Sequence, residues 1–459
     1  MRSTRISLAR TAVTRTSFSR WLTRALLLVL AAAAVGAPAE ATARTSATTA
    51  QGNAVLDWNL IAQNATAVGR PPGGAAVLQG IVQAAIYDAV VAIEGGYEPF
   101  IASPTVPRPA STAAAVAAAA HDVLVVRVPL QATYVEAQYT AYLATIPDGP
   151  AKTNGITVGE EVARAILAWR ANDHFDEVVP YEQPPPGPGV FEPVLPTEPV
   201  DVKLTRVTPL TFGSNDQFRP DGPNPLTSAE YAEDFNEVKA YGRVDSSIRT
   251  PAQTDIARFW SDNAVVQWPR ALRALALEKG LGLAETARML TLMQVAGPDA
   301  VLACFDAKYH YLFWRPIHAI RRADTDGNPA TEPDPTWTPL LFVNHPEYPG
   351  AHGCLTTAIT ETMAAFFGTD KVTFSVESTV PTVQQKTRYY ERFSDAAKEV
   401  YDARTWAGLH FRNSTMEGAW IGKKVARHVV ANFFRPLDPD SAGSTTGSRT
   451  TATPTSRPE

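Results

Sequence analysis

Long apolar runs, cysteine and charge are all scarce in this sequence. Of 459 residues, 19% are charged and two are cysteines, Cys304 and Cys354. Two cysteines far apart in sequence leave two interpretations open, a disulfide or a pair of buried free thiols. Beyond the N-terminal region, no apolar run approaches the roughly 20 residues needed to cross a bilayer. We therefore expect no membrane span after residue 43.

The longest apolar run lies near the N-terminus and covers the 13 residues Ala25–Ala37. A stretch with six arginines precedes this run, and the small residues Ala41-Thr42-Ala43 follow it. This order is typical of a secretory signal peptide. We predict a signal peptide over residues 1–43, cleavage after Ala43 and a secreted protein. An uncleaved membrane anchor is the alternative.

Positive charge is also limited. The 41 basic and 46 acidic residues give a net charge of −5. Without residues 1–43 the counts fall to 35 and 45, a net charge of −10. A chain this acidic is a poor nucleic-acid binder. Any anion site must therefore be a local cluster of cations.

Helical patterns are abundant. The sequence is 45% apolar, which suffices for a large core. Runs with alternating β-type polarity are scarce, and helix-forming residues dominate. We predict a mainly α protein, with helical patterns in these segments: 55–93, 111–146, 157–171, 228–240, 251–263, 264–279 and 283–296.

Residues 176–226 interrupt the helical pattern with a proline-rich stretch. So long an irregular segment inside a domain usually lines a site or forms a linker, and we favour a loop that crosses the domain. After Arg435-Pro436 the composition turns to Ser, Thr, Gly and Pro. The predicted organisation is one helical domain over 44–436 and a disordered tail over 437–459.

A first candidate motif contains Lys308 and Arg315. These residues are about two helical turns apart, so on one helix they share a face, and Pro316 disfavours continuation beyond Arg315. Two cations on a helix face are usually solvated. Here the surrounding residues are aromatic and indicate burial: Phe305, Tyr309, Tyr311, Phe313 and Trp314. Buried cations require an anionic partner.

A second motif runs from His345 to Gly353, with a predicted helix over 354–367. The small residues Gly350 and Ala351 would let backbone N–H groups approach an anion at the helix N-terminus. His352, beside them, would donate to that anion or exchange protons with it. A tight turn with a structural histidine is the alternative.

A third motif contains Arg404 and His410. On a continuous helix they would be about 240° apart, so a break is needed between them, and Gly408 offers one. The capping box Ser414–Glu417 predicts the start of the next helix. His410 is therefore expected in a short connection between two helices. A buried helix turn with a satisfied histidine is the alternative.

Together the three motifs read Lys-x6-Arg-Pro, Pro-x-x-His and Arg-x5-His. Their order and spacing resemble the superfamily of vanadium haloperoxidases, type 2 phosphatidic acid phosphatases and bacterial class A acid phosphatases. The resemblance is to its exported bacterial haloperoxidase branch. It covers about residues 295–430, and more loosely the helices and the proline-rich loop before them. It implies a large helical bundle of the haloperoxidase and acid phosphatase type.

The resemblance also implies a cofactor and roles for individual residues. Lys308, Arg315 and Arg404 would bind the oxygens of vanadate, aided by the backbone at Gly350 and Ala351. His410 would be the axial vanadium ligand and His352 the acid–base group. Hydrogen peroxide and a halide would be substrates, giving a hypohalous acid equivalent for a small organic acceptor.

Two positions bear on affinity and specificity. The superfamily pattern is Pro-Ser-Gly-His, whereas this chain has Pro349-Gly350-Ala351-His352. Loss of the serine hydroxyl removes a charged hydrogen bond worth roughly 1.5–3 kcal/mol, which Gly350→Ser would restore if the backbone has room. His345 resembles the histidine of bromide-oxidising relatives, so bromide is the expected halide.

Alternative functions remain open. The same residues suit an exported acid phosphatase, with phosphate in the site, His410 as the nucleophile that forms a phosphohistidine and His352 as the acid. A non-catalytic oxyanion-binding protein is also possible. A zinc site from His345, His352 and His410 lacks convincing ligand spacing. Chain length and the absence of membrane spans after residue 43 favour the haloperoxidase.

Overall fold

Alanine-rich and leucine-rich segments form most of the secondary structure. The computed structural model describes residues 52–437, so the predicted signal peptide and nearly all of the predicted tail lie outside the described residues. Its α-helices are α1 Ala54–Ala67, α2 Pro72–Glu94, α3 Thr112–Arg127, α4 Ala132–Ala144, α5 Pro150–Trp169, α6 Ala229–Gly242, α7 Pro251–Phe259, α8 Ala264–Glu278, α9 Leu283–Tyr311, α10 Pro316–Arg321, α11 Ala351–Phe367, α12 Phe393–Trp406 and α13 Arg412–Asn432.

Other regular structure is limited in the described part of the chain. Strand β1, Phe374–Glu377, pairs antiparallel with β2, Thr387–Tyr390. Four short 3-10 helices complete the list: Pro129–Gln131, Val202–Thr205, Asn215–Phe218 and Ala323–Thr325. The prediction of a mainly α bundle is confirmed.

The central helix of the core is α2, which packs against α3 and α9. It is long and apolar enough to cross a membrane, but 94% of its most apolar window is buried inside the protein. Burial on all sides explains why it is hydrophobic around its whole circumference. The two cysteines, Cys304 and Cys354, are buried and free, as one of the two interpretations expected.

Close packing of α11 against α13 brings the second and third motifs together. A Cβ at Gly353 would lie 2.3 Å from the Thr415 carbonyl oxygen, and a Cβ at Gly418 would lie 2.3 Å from the Gly350 carbonyl oxygen. No larger residue fits at either position without separating the helices. The glycines therefore set the short distance between the helix that carries His352 and the segment that carries His410.

The proline-rich segment crosses the molecule as predicted. No α-helix occurs between α5 and α6. Instead, the loop pairs with the end of α9: Phe191 N–H donates to the Leu312 carbonyl and Trp314 N–H to the Gly189 carbonyl. Further along, Val200 and Asp201 line a cavity of about 560 Å³.

The predicted helix boundaries at the first and third motifs are wrong. The helix of Lys308 does not extend to Arg315 but ends at Tyr311, where Leu312 adopts a left-handed φ of 49°. Pairing with the proline-rich loop takes the chain out of the helix, and Arg315 becomes the N-cap of α10. Helix α13 begins at Arg412, not after a capping box at Ser414.

Candidate active site

The residues predicted to bind an oxyanion come from five different places in the fold. Lys308 lies on α9, Arg315 at the start of α10 and His352 in the first turn of α11. Arg404 lies near the end of α12, and His410 lies in the α12–α13 connection. His352, Arg404 and His410 line one cavity of about 560 Å³. The Arg315 guanidinium lies beside these residues, because its NH1 is 3.3 Å from His410 Nε2.

Lys308 is held by carbonyl groups of the second motif. Its Nζ donates to the carbonyl oxygens of Pro346 at 2.9 Å and Glu347 at 3.0 Å. These acceptors orient the ammonium group without neutralising its charge. Lys308 thereby ties α9 to the segment that precedes α11.

The two arginines are held in the same way. Arg315 donates to the carbonyl oxygens of His345 and Leu409, both at 2.7 Å. Arg404 NH1 donates to the Trp260 carbonyl at 3.2 Å, while its buried Nε has no partner in the described chain. Each guanidinium is therefore positioned by neutral oxygens.

The three cations are buried beside one carboxylate, Glu347, which favours the charged forms of Lys308 and Arg315 without forming an ion pair with either. Lys308, Arg315 and Arg404 are 0%, 2% and 3% exposed. None forms an ion pair within residues 52–437, whereas many surface cations do. Burial lowers the pKa of Lys308 to about 8, of Arg315 to about 10 and of Arg404 to about 9. Such unpaired buried charge is costly and favours a bound anion.

His410 is oriented by Glu347, a residue that the sequence did not single out. Glu347 Oε1 accepts from His410 Nδ1 at 2.8 Å and from the Phe411 N–H at 3.0 Å. Its Oε2 accepts from the Ser414 hydroxyl at 2.6 Å. Because the carboxylate is the acceptor, Nδ1 carries the ring proton and Nε2 keeps its lone pair. That nitrogen can accept from Arg315 NH1 at 3.3 Å, and it is the ring atom that is competent as a metal ligand or a nucleophile.

The buried carboxylate and imidazole have shifted pKa values. Burial raises the pKa of Glu347 to about 7, although Arg315 and Lys308 oppose this. Burial and then the nearby cations, Arg315 first, hold the pKa of His410 well below its usual range. The imidazole is therefore neutral, as a ligand must be.

His352 lines the cavity and has one ring nitrogen without a hydrogen-bond partner among the described residues. Its Nε2 is buried and lacks a hydrogen-bond partner among the described residues. Burial and the neighbouring Arg404 lower its pKa well below the usual value, so it is neutral without an anion. His352 Nε2 and Arg404 Nε are thus two buried polar atoms without a hydrogen-bond partner in the described chain. A tetrahedral oxyanion in the cavity would supply a partner for both. The site therefore fits vanadate or phosphate.

The backbone next to His352 contributes at Ala351 rather than at Gly350. Gly350 N–H donates to the Ser414 carbonyl at 2.6 Å, so it is not free for an anion. Helix α11 begins at Ala351, three residues earlier than predicted, and Ala351 lines the cavity. The first N–H groups of a helix have no partner within it and favour a negative charge.

His345 also lines the cavity. Arg315 NH2 donates to its Nδ1 at 2.9 Å. Burial, followed by the charge of Arg315, holds the pKa of His345 well below its usual range. The ring is therefore a neutral group between the cation cluster and the cavity.

The space near Gly350 decides what Gly350→Ser does. A Cβ there would lie 2.9 Å from Thr415 Cα and 3.2 Å from its hydroxyl oxygen. We expect Gly350→Ser and the control Gly350→Ala to lower the free energy of unfolding by about 1–3 kcal/mol, because both overpack α11 against α13. Neither should tighten vanadate binding. Denaturant unfolding and vanadate titration measure both effects, and tighter binding by the serine variant alone would contradict this.

Comparison with known proteins places the site within a recognised domain. Residues 288–439 match a family model described as the VCPO second helical-bundle domain. This range contains every residue of the three motifs. No curated protein sequence matches the chain.

Solved structures match over most of the chain. A bacterial vanadium-dependent iodoperoxidase is 20% identical, with a TM-score of 0.70 over 84% of this chain and 96% of its own. An apo bacterial vanadium-dependent chloroperoxidase is 16% identical, with a TM-score of 0.61 over 84% and 95%. Its holo form is 16% identical, with a TM-score of 0.62 over 85% and 94%. At these identities the likeness establishes the fold.

Proposed function

We propose that this protein, which has the fold of the vanadium-dependent haloperoxidases, is a vanadate-dependent peroxidase that oxidises a halide with hydrogen peroxide to a hypohalous acid equivalent. The observation that carries the proposal is the cluster of three buried cations that form no ion pair in the described chain, next to a histidine that Glu347 holds through Nδ1. Vanadate, when bound, supplies a Lewis acid for peroxide.

Each residue of the site has a separate role in this proposal. Lys308, Arg315 and Arg404 bind the oxyanion by charged hydrogen bonds, and the α11 N-terminus adds backbone donors. His410 offers Nε2 as the ligand, and Glu347 holds the ring in that tautomer. His352 exchanges a proton with peroxide at Nε2, because this nitrogen is neutral and unpartnered.

Parallel assays with and without orthovanadate test the proposal. Purified metal-free protein should gain bromide oxidation on addition of orthovanadate and should bind phosphate in competition with it. Nitrophenyl phosphate hydrolysis should stay slow. Phosphatase activity without halide oxidation would instead identify a phosphohistidine hydrolase, and oxyanion binding without either activity would identify a binding protein.

The halide preference is a further prediction. We expect bromide turnover at neutral pH with little or no chloride turnover, because the polar His345 ring lies in the cavity and bromide is easier to oxidise. Halogenation of monochlorodimedone by the vanadate-loaded protein measures both rates, with His345→Phe as the matched variant. Equal turnover of the two halides would contradict the prediction.

Export is proposed on the sequence pattern alone. We expect a mature protein that begins at Arg44 and is secreted, because Ala41-Thr42-Ala43 follows a basic and then an apolar segment. Mass spectrometry of the culture medium and the cell pellet would locate the N-terminus. Secreted protein that still contains the segment 26–30 would refute cleavage after Ala43.

A further inference from the structure

The two cysteines of the chain lie next to the residues of the oxyanion site. Cys304 is on α9, one turn before Lys308, and Cys354 is on α11, shortly after His352. Both cysteines are 0% exposed. Cys304 Sγ donates to the carbonyl oxygen of Pro349 at 3.7 Å, in the turn that leads into α11. The packing of α9 against α11 thus places one thiol from each helix in the same buried layer.

The two thiols are in hydrogen-bonding contact and differ in acidity. Burial raises the pKa of Cys304, but the hydrogen bond from Cys354 and then the charge of Lys308 lower it, and the net shift is downward. Burial, and then the hydrogen bond to Cys304, raise the pKa of Cys354 well above its usual value. Because the thiolate is the reactive form, Cys304 is expected to react first and Cys354 to react with its product.

A small oxidant has a short path to this pair. Val301 and Phe305 of α9 and His352 and Leu355 of α11 line the cavity of about 560 Å³. These residues flank the two cysteines along their helices, so the pair lies directly behind the cavity wall. Hydrogen peroxide can pass such a wall during small local openings of the helices, whereas a peptide disulfide is too large to do so.

We propose that Cys304 and Cys354 are a peroxide-reactive pair, whose oxidation forms a disulfide between α9 and α11 and prevents irreversible oxidation of Cys304. The inference rests on the proposed function only for the natural source of peroxide. Excess peroxide converts a thiol without a neighbouring thiol to sulfinic and sulfonic acids, which are not readily reduced. Such an anion in a fully buried position would destabilise the helix packing. A second thiol in contact with the first reacts with the sulfenic acid before that happens.

The oxidation balances with hydrogen peroxide as the oxidant. The Cys304 thiolate attacks a peroxide oxygen, so that an S–O bond forms, the O–O bond breaks and the leaving hydroxide takes up a proton to give water. The sulfur of Cys354 then attacks the sulfenic sulfur of Cys304. The S–S bond forms, the S–O bond breaks, and the hydroxide leaves as water with the thiol proton of Cys354. The two sulfur atoms together supply the two electrons that reduce the peroxide.

Mass spectrometry of vanadate-free protein tests the pair without any turnover. Folded wild-type protein treated with hydrogen peroxide should lose two hydrogen atoms and give a proteolytic product in which Cys304 is linked to Cys354. Free thiols after this treatment, sulfinic acid at either cysteine or disulfides between chains would overturn the proposal.

A larger oxidant tests the path through the cavity wall. Oxidised glutathione and hydrogen peroxide are each compared on folded and on urea-unfolded protein. Because both thiols are fully buried, folding should slow the reaction with oxidised glutathione at least about tenfold more than the reaction with peroxide. Equal slowing of the two reactions would overturn selective access by the small oxidant.

Alanine variants distinguish a protective pair from two independent thiols. Peroxide should raise the Tm of the wild type by about 5 °C, because the disulfide closes a long loop, and should leave that of the double variant Cys304→Ala/Cys354→Ala unchanged. In Cys354→Ala, peroxide should instead add two or three oxygen atoms to Cys304 and lower the Tm. A Cys354→Ala protein that resists peroxide as well as the wild type does would overturn the protective role.

The lifetime of the enzyme under turnover separates this inference from the proposed function. Vanadate-loaded wild type and the double variant should keep bromide oxidation through repeated additions of peroxide, whereas Cys354→Ala should lose it at least about threefold faster. Equal lifetimes of the three proteins would overturn protection of the site. Absence of bromide oxidation in all three would count against the proposed function alone, because the mass and Tm measurements use vanadate-free protein.

Discussion

His410→Ala should abolish vanadate-dependent halide oxidation and weaken vanadate binding by more than about 100-fold. Changing only an outer partner of a metal ligand typically costs 10–100-fold, so removing the ligand itself should cost more. His352→Ala should behave differently, with vanadate affinity within about tenfold of wild type and turnover lowered about 10²–10⁴-fold, because its role is proton transfer. Vanadate titration and steady-state kinetics separate the two effects.

The contrast between the two histidine variants has a surface control. His310 is an exposed histidine on α9 that occupies one of the unspecified positions between Lys308 and Arg315. His310→Ala should leave both vanadate affinity and turnover at wild-type values. Equal losses of vanadate affinity in His410→Ala and His352→Ala would mean that the ligand and proton-transfer roles are assigned wrongly.

Glu347→Gln should weaken vanadate binding by about 10–100-fold, as changes to the outer partner of a metal ligand do. The amide oxygen can still accept from His410 Nδ1–H, but the negative charge that raises the basicity of the ring is lost, so Nε2 is a weaker ligand. Phosphate needs the cations but not the histidine lone pair, and removing a nearby negative charge should leave phosphate binding unchanged or slightly tighter. Isothermal titrations with the two anions measure these opposite responses.

A double-mutant cycle makes the Glu347 prediction specific. In a His410→Ala background, Glu347→Gln should no longer weaken vanadate binding, because the weakening passes through His410. Glu237→Gln, which removes a partner of Arg412, should change neither anion affinity. Equal weakening of vanadate and phosphate by Glu347→Gln would indicate a general structural role instead.

The helices were largely predictable because their apolar periodicity is local. The proline-rich stretch, likewise, could be assigned as a crossing loop from composition alone. The end of α9 was not predictable, because it depends on pairing of Leu312 and Trp314 with a loop more than a hundred residues earlier. The local sequence predicts that the helix ends at Pro316, whereas the contact with the distant loop determines where α9 ends.

The site was predictable as a set of residues but not in its details. The resemblance to the superfamily predicted that Lys308, Arg404 and His410 lie in one site. The spacing within each motif, taken alone, also allowed a structural role for these residues. Glu347 carried one local signal, an acid within an otherwise apolar and proline-rich segment. Its role depends on contacts with His410 and Ser414, which only the packing of α13 against α11 creates. The lack of space at Gly350 has the same origin.

A crystal structure of the protein soaked in orthovanadate would show whether these residues form one oxyanion site. We expect vanadium bonded to His410 Nε2, with its oxygens about 2.7–3.0 Å from donors of Lys308, Arg315 and Arg404. His352 Nε2 should contact the same anion, and vanadium should be absent from His410→Ala crystals. Vanadium bound away from these residues, or equally well in His410→Ala, would mean that the oxyanion site and its ligand are assigned wrongly.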